Sequence, residues 1–236
     1  MEIDEARHPD VTGEALRRRA VREQSRSQVP SVVLGVARSG SAVQVASAGF
    51  ADVEGGVAAG PTVPYRIGSI TKTFTAALVL SLVEDGVLGL DDRVEEHLPG
   101  TPVGVVTLRA LLSHSGGMQR EAPVDMWESM QGPDGLGLRR ALGRAELVDR
   151  PGARWHYSNL GYAVLGQVVE RATGAACTAL VDERLIGPLG LSATVWAARR
   201  WGTGWTRTPT SCTGSRSWTR PRWAWAGSCG RRRRTC

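Results

Sequence analysis

At residue 196 the chain loses the means to build an ordinary core. From Trp196 to Cys236 there is no Val, Leu, Ile, Met, Phe or Tyr and no Asp or Glu. Six of the eight tryptophans and ten arginines stand there among Gly, Ser and Thr. No apolar period of 2 or 3.6 residues runs through such a segment, so neither an amphipathic helix nor a half-buried strand is predicted in it. We expect residues 196–236 to be an aberrant, disordered tail with the composition of a GC-rich gene read out of frame. Translating the DNA downstream of codon 195 in all three frames tests this; an intact frame with no nearby slip removes the idea. Folding is then the task of residues 1–195, enough for a sizeable core.

Charge divides at the same place. Residues 1–195 carry 19 basic and 23 acidic side chains, a net charge of −4, whereas the whole chain reaches +6. The basic character therefore belongs to the tail. Cys177 lies in the body and Cys212, Cys229 and Cys236 in the tail, with no zinc or disulfide spacing, so neither a metal nor a cofactor is expected. The acidic N-terminus has no apolar run of the signal-peptide type. The longest apolar run, around residues 76–83, is too short to span a bilayer. A soluble, cytoplasmic protein is the expectation.

Hydrophobic patterning predicts an amphipathic helix over 11–26 with Ala15, Leu16, Ala20 and Val21 on one side. Two β-rich runs, 31–38 and 42–50, joined by Ser-Gly-Ser, predict a hairpin. Residues 51–64 read as a Gly- and Pro-rich loop. A helix over 70–85 is apolar nearly all round, the pattern of a core helix, with Ser69 as its N-cap and Gly86 as its stop. Short helices are expected at 107–112 and 138–147. A clear amphipathic helix over 160–172 is closed by Gly174.

The chemistry concentrates in two places. Lys72 is the only lysine; the other 28 basic residues are arginine. Guanidinium stays protonated in proteins, whereas an ammonium can give up its proton and serve as a base. Lys72 lies three residues after Ser69, which puts both on one face of a helical turn, at an end where backbone N–H groups favour negative charge. The pair suits a nucleophile and its base; the same letters also fit a capping serine followed by solvated first-turn residues. The second place is Tyr157-Ser158-Asn159, just before a helix. There Tyr157 can relay a proton and Asn159 can orient Lys72 or a substrate carbonyl; alternatively Ser158 or Asn159 merely caps the helix and Tyr157 packs. A histidine triad is not indicated. The candidates are His8, His97, His114 and His156, but no G-x-S-x-G elbow exists, and His114 in SHSGG reads as a hydrogen-bonding loop residue.

Taken together, RIGSITKTFTAALVLSLVEDGVLGLDDRVEEHLP (66–99), TLRALLSHSGGM (107–118), PGARWHYSNLGYAVLGQVVERATG (151–174) and ERLIGPLGLSAT (183–194) resemble one family. It is the serine β-lactamase and penicillin-binding-protein superfamily, in its class C-like, D,D-peptidase and esterase branch. The likeness covers roughly residues 10–195. It implies an α+β, β-lactamase/transpeptidase-like fold, an antiparallel sheet flanked by helices plus an all-α subdomain. It also implies acyl transfer on a small-molecule ester, amide, D-Ala peptide or β-lactam through a covalent serine. By that resemblance Ser69 is the nucleophile and an oxyanion donor through its backbone N–H, Lys72 the base or base partner, Tyr157 the proton relay, and Asn159 the residue that positions substrate and lysine.

One family element has no counterpart. No K-T-G or H-x-G follows Asn159, and His114-Ser115-Gly116 fits the letters only out of order. We expect the closing strands of the sheet to be missing and only two strands to remain. Losing an oxyanion donor costs on the order of 10²–10³ in turnover, so activity should be impaired, and uncovered apolar surface should lower solubility. A competing expectation is that Trp201, Trp205, Trp218, Trp223, Trp225 and Arg231 to Arg234 bind nucleic acid by stacking and charge; an isolated tail that gives no gel shift at low salt ends that reading.

Overall fold

The computed structural model describes residues 13–39, 42–123 and 135–196, with only the backbone of 135 and 136. His8 and the tail tryptophans and arginines proposed for nucleic acid lie outside the described residues.

An α+β arrangement forms around two apolar clusters. Helix α1 (Gly13–Ser27) lies on an antiparallel sheet of β1 (Ser31–Val36), β2 (Gln44–Asp52) and β3 (Val57–Ala58), in the order β1-β2-β3. The β1–β2 register pairs Ser31 with Gly49 and Val36 with Gln44. Alternation puts Leu34, Val36, Ala46 and Ala48 on one face, where they pack with Leu16 and Ala20 of α1. Val21, expected on that side, is instead exposed, because the helical stripe narrows to residues four apart. The third strand corrects the expected loop and the expected pair of strands. β2 runs on past Phe50 through a bulge, and a turn with Gly55 N–H on Asp52 Oδ1 folds Val57 and Ala58 back onto it.

The larger cluster is helical. It joins α2 (Thr71–Glu84), α3 (Val94–His97), α4 (Leu108–Leu112), α5 (Gly135–Leu142), α6 (Asn159–Thr173) and α7 (Cys177–Val181), which runs into a π-helical turn, Asp182–Ile186. On α6 the large apolar side chains that are buried are Leu160, Val164, Leu165, Val168 and Val169, the four-and-five spacing of one helix face, with Gly161 and Gln167 buried beside them. Gly174 ends it in the left-handed conformation at φ 70°. Against these pack Leu78, Val79 and Leu82 of α2 and Leu108 and Leu111 of α4. The expectation that this helix is buried nearly all round is corrected: Leu80, and Ile70 just before α2, are exposed, and the buried residues of α2 are Leu78, Val79 and Leu82. The helix expected over 138–147 lies at 135–142, and Leu147 pairs with Met118 in an antiparallel bridge instead.

That bridge fixes the loop on which much of the site stands. Gly117 adopts φ +66°, and its carbonyl accepts from Val148 and Asp149 N–H. A Cβ there would lie 2.2 Å from the Asp149 carbonyl oxygen. Gly117→Ala should therefore lose at least about 1–2 kcal/mol from the backbone conformation alone, with the clash added. A lower urea midpoint at unchanged slope is the expected reading; an unshifted midpoint contradicts this account of the loop.

Candidate active site

Three segments converge on one open cavity of about 430 Å³, lined by Ser69, Arg120, Trp155, His156, Tyr157 and Asn159. The first is a 3₁₀ turn, Gly68–Ile70, leading into α2. The N-cap of α2 is Ile70, and no side chain caps it, which corrects the expectation for Ser69. The tighter turn starts the helix one step earlier and leaves the Ser69 hydroxyl uncommitted to the backbone. Lys72 follows in the first turn of α2, half buried, with Nζ 3.4 Å from Ser69 Oγ.

The second segment, residues 152–159, is laced to the third, residues 113–121, by backbone bonds. Gly152 N–H donates to Ser115, His156 N–H to His114, and Asn159 N–H to Arg120. Ser158 then caps α6: its Oγ accepts from Gly161 N–H at 2.9 Å and donates to the Gln119 carbonyl at 2.6 Å. Of the alternatives left open for Tyr157-Ser158-Asn159, capping falls to Ser158 alone, and its neighbours face the cavity. Ser158→Ala should cost about 1 kcal/mol in thermal or urea unfolding; an unchanged midpoint would show that the cap is not needed.

The geometry brings together all four residues singled out from the sequence. The Tyr157 hydroxyl donates to Ser69 Oγ at 2.7 Å. Lys72 Nζ donates to Asn159 Oδ1 at 2.5 Å and sits 4.9 Å from the centre of the Tyr157 ring and 5.6 Å from that of Tyr162. Hydrogen bonds to Lys72 and then Ser69, with the charges of Lys72 and Arg120 behind them, hold the Tyr157 phenol below its usual range. These are favourable interactions with the phenolate form.

His114 supports this group from behind. Its ring centre lies 4.5 Å from that of Tyr157 and 5.0 Å from that of Tyr162, and Nδ1 accepts from Ser158 N–H at 3.2 Å. Among the described residues no histidine hydrogen-bonds Ser69, and His97 is engaged with Asp92. Burial, then the charge of Lys72, hold the His114 imidazole below its ordinary value of 6.5. Unfolded chains therefore bind this proton more readily, so stability is lost as pH falls below 6.5 towards the folded value. His114→Asn, which tolerates the positive φ of 57° but does not titrate, should flatten that dependence in urea midpoints measured above and below pH 6.5. A wild-type-like slope in this variant contradicts the assignment.

Three residues of the site carried no sequence signal. Arg120 places its guanidinium 5.0 Å from the Tyr157 ring, Trp155 forms an exposed aromatic wall, and Glu121 accepts from Asn159 Nδ2 at 2.8 Å. Among the described residues no group of three or more His, Cys, Asp or Glu is placed to hold a metal, and no helix is long and apolar enough to cross a membrane.

A family model for Beta-lactamase matches residues 17–228. The chain belongs to that family. Within the wider serine β-lactamase and penicillin-binding-protein superfamily, it is 36% identical over 174 residues to Esterase EstB of Burkholderia gladioli, covering 66% of this chain and 44% of the esterase. A penicillin-binding protein homologue from Pyrococcus abyssi, described as octameric, superposes with TM-score 0.66 at 29% identity, over 78% of this chain and 44% of that one. D-amino acid amidase from Ochrobactrum anthropi SV3 superposes with TM-score 0.69 at 25% identity, over 76% and 50%. The fold is accordingly β-lactamase/transpeptidase-like. The chain spans about a third to a half of the length of the curated relatives it matches.

Proposed function

We propose that this Beta-lactamase-family chain is a serine hydrolase that opens ester or amide carbonyls through an acyl-enzyme on Ser69. The observation that carries the reading is the convergence on one hydroxyl: Ser69 Oγ lies 2.7 Å from the Tyr157 hydroxyl and 3.4 Å from Lys72 Nζ. A serine hydroxyl is a weak nucleophile until a neighbour takes its proton. Tyr157 and Lys72 act as a coupled pair, since phenolate with ammonium and phenol with amine differ only in where one proton sits.

As Oγ bonds to the carbonyl carbon, its proton passes to this pair and the carbonyl π electrons move to oxygen. The Ser69 backbone N–H is assigned as a donor to that charge, the role the family resemblance gives it. Collapse expels the alcohol or amine, which takes the proton back from the pair. Water then repeats the sequence on the acyl-enzyme and releases the acid. Asn159, bonded to Lys72, orients the amine and the substrate. Relatives named esterase and D-amino acid amidase support ester and amide substrates, and a strained β-lactam amide belongs to the same class.

Hydrolysis of a nitrophenyl ester by the whole chain tests this. Ser69→Ala should abolish enzymatic release. Tyr157→Phe, which keeps the ring against His114, should lower kcat by about 10²–10⁴. Equal hydrolysis by Ser69→Ala removes the proposal.

A further inference from the structure

We propose that Glu121 is a positioning residue that fixes which way the Asn159 amide faces and so keeps Lys72 usable. The inference rests on the reading of Ser69 and Lys72 above, and it concerns a residue that neither sequence motif contains.

An asparagine amide has nearly the same shape in its two orientations, so hydrogen-bond partners decide between them. In this site Oδ1 meets Lys72 Nζ at 2.5 Å and Nδ2 meets Glu121 Oε1 at 2.8 Å. Lysine offers only donors when charged, and a carboxylate only accepts. Turning the amide over would set N–H against N–H at one end and oxygen against oxygen at the other. Both contacts would become repulsive at once.

Were Nδ2 to face Lys72, it could bond only to the lone pair of the neutral amine, the electron pair that the reaction needs for a proton. Glu121 excludes that arrangement. It does so from a fixed position: its side chain is 25% exposed, Oε1 also lies 3.4 Å from Arg120 Nε, and Oε2 is buried with no hydrogen-bond partner among the described residues. The neighbouring Arg120 carbonyl accepts from Asn159 N–H at 2.7 Å, so backbone and side chain of Asn159 are both held by the 120–121 pair. A carboxylate with one oxygen desolvated and unpaired is costly; its bond to Asn159 gives that cost a role.

The test uses the full chain and two readouts. The first is the NMR signal of the Asn159 side-chain amide. It should move in Glu121→Ala and stay near its wild-type position in Glu121→Gln, whose carbonyl oxygen still accepts from Nδ2. The second is the rate at which a fluorophosphonate labels Ser69. It should fall about ten- to a hundredfold in Glu121→Ala, the scale of a misplaced catalytic group, and be restored by Glu121→Gln to within about threefold of wild type. In an Asn159→Ala background, Glu121→Ala should have no further effect, whereas a general loss of structure would still add. Should Glu121→Ala fail to fold, Glu121→Leu removes the acceptor and keeps the stem. An Asn159 amide signal that ignores Glu121→Ala overturns the proposal, as does an equal loss of rate with and without Asn159. An amide signal that responds as expected in a chain whose Ser69 is never labelled supports the positioning and sinks the serine-hydrolase reading instead.

Discussion

Lys72→Arg is expected to slow the labelling of Ser69 by a fluorophosphonate on the order of 10³-fold. The substitution preserves the charge and removes two other properties. Guanidinium does not release its proton in proteins, so the phenol–amine form of the pair is lost. A planar fork is also a poor replacement for a point donor set 2.5 Å from Asn159 Oδ1 and 3.4 Å from Ser69 Oγ. Phosphonylation is the suitable readout because it needs one attack and no deacylation, so it reports on Ser69 even where turnover is weak. A rate within tenfold of wild type would mean that Lys72 contributes only charge. Arginine, which the chain uses at all other basic positions, would then have served there too.

The largest effect on stability is expected at Leu165. This side chain is fully buried in the middle of α6, within the cluster shared by α2 and α4. Leu165→Ala removes that packing and leaves a void that close-packed helices fill only in part, costing about 2–5 kcal/mol. That loss rivals the whole stability of many domains. Because α6 begins at Asn159 and packs on the helix that carries Lys72, the site should lose its geometry in the same transition. Urea unfolding monitored by helical circular dichroism and by fluorophosphonate labelling should give coincident, lowered midpoints. A midpoint unchanged by Leu165→Ala contradicts this account of the core, and labelling lost well before the helical signal contradicts the link between core and site.

Local signals made much of this architecture legible. The period of α6 and its Gly174 stop are written within a span of about twenty residues, although only the structure chooses Ser158 over Asn159 as its cap, and the three-residue spacing of Ser69 and Lys72 puts both on one helical face. Two β-rich runs on either side of Ser-Gly-Ser were enough to pair β1 with β2. What escaped depends on contacts that no short window contains. β3 is only Val57–Ala58 and exists because a bulged β2 reaches far enough to pair with it. Ser69 looked like a cap because capping and nucleophilic serines share a position; the 3₁₀ turn that separates the two roles is a backbone detail. Glu121 and Arg120 join the site from a loop whose path is set by Gly117 and the Met118–Leu147 bridge. No periodicity announces a residue whose partner is 38 positions away.

The most direct test is peptide mapping of the whole chain after reaction with a fluorophosphonate. Trypsin cuts after Arg66 and Lys72, so the hexapeptide Ile67–Lys72 isolates Ser69 from every other serine. The adduct is predicted on that peptide, at Ser69, and is predicted to vanish in Ser69→Ala. An adduct confined to another serine, such as Ser113 or Ser115, or a chain that takes no adduct at all, would contradict the account.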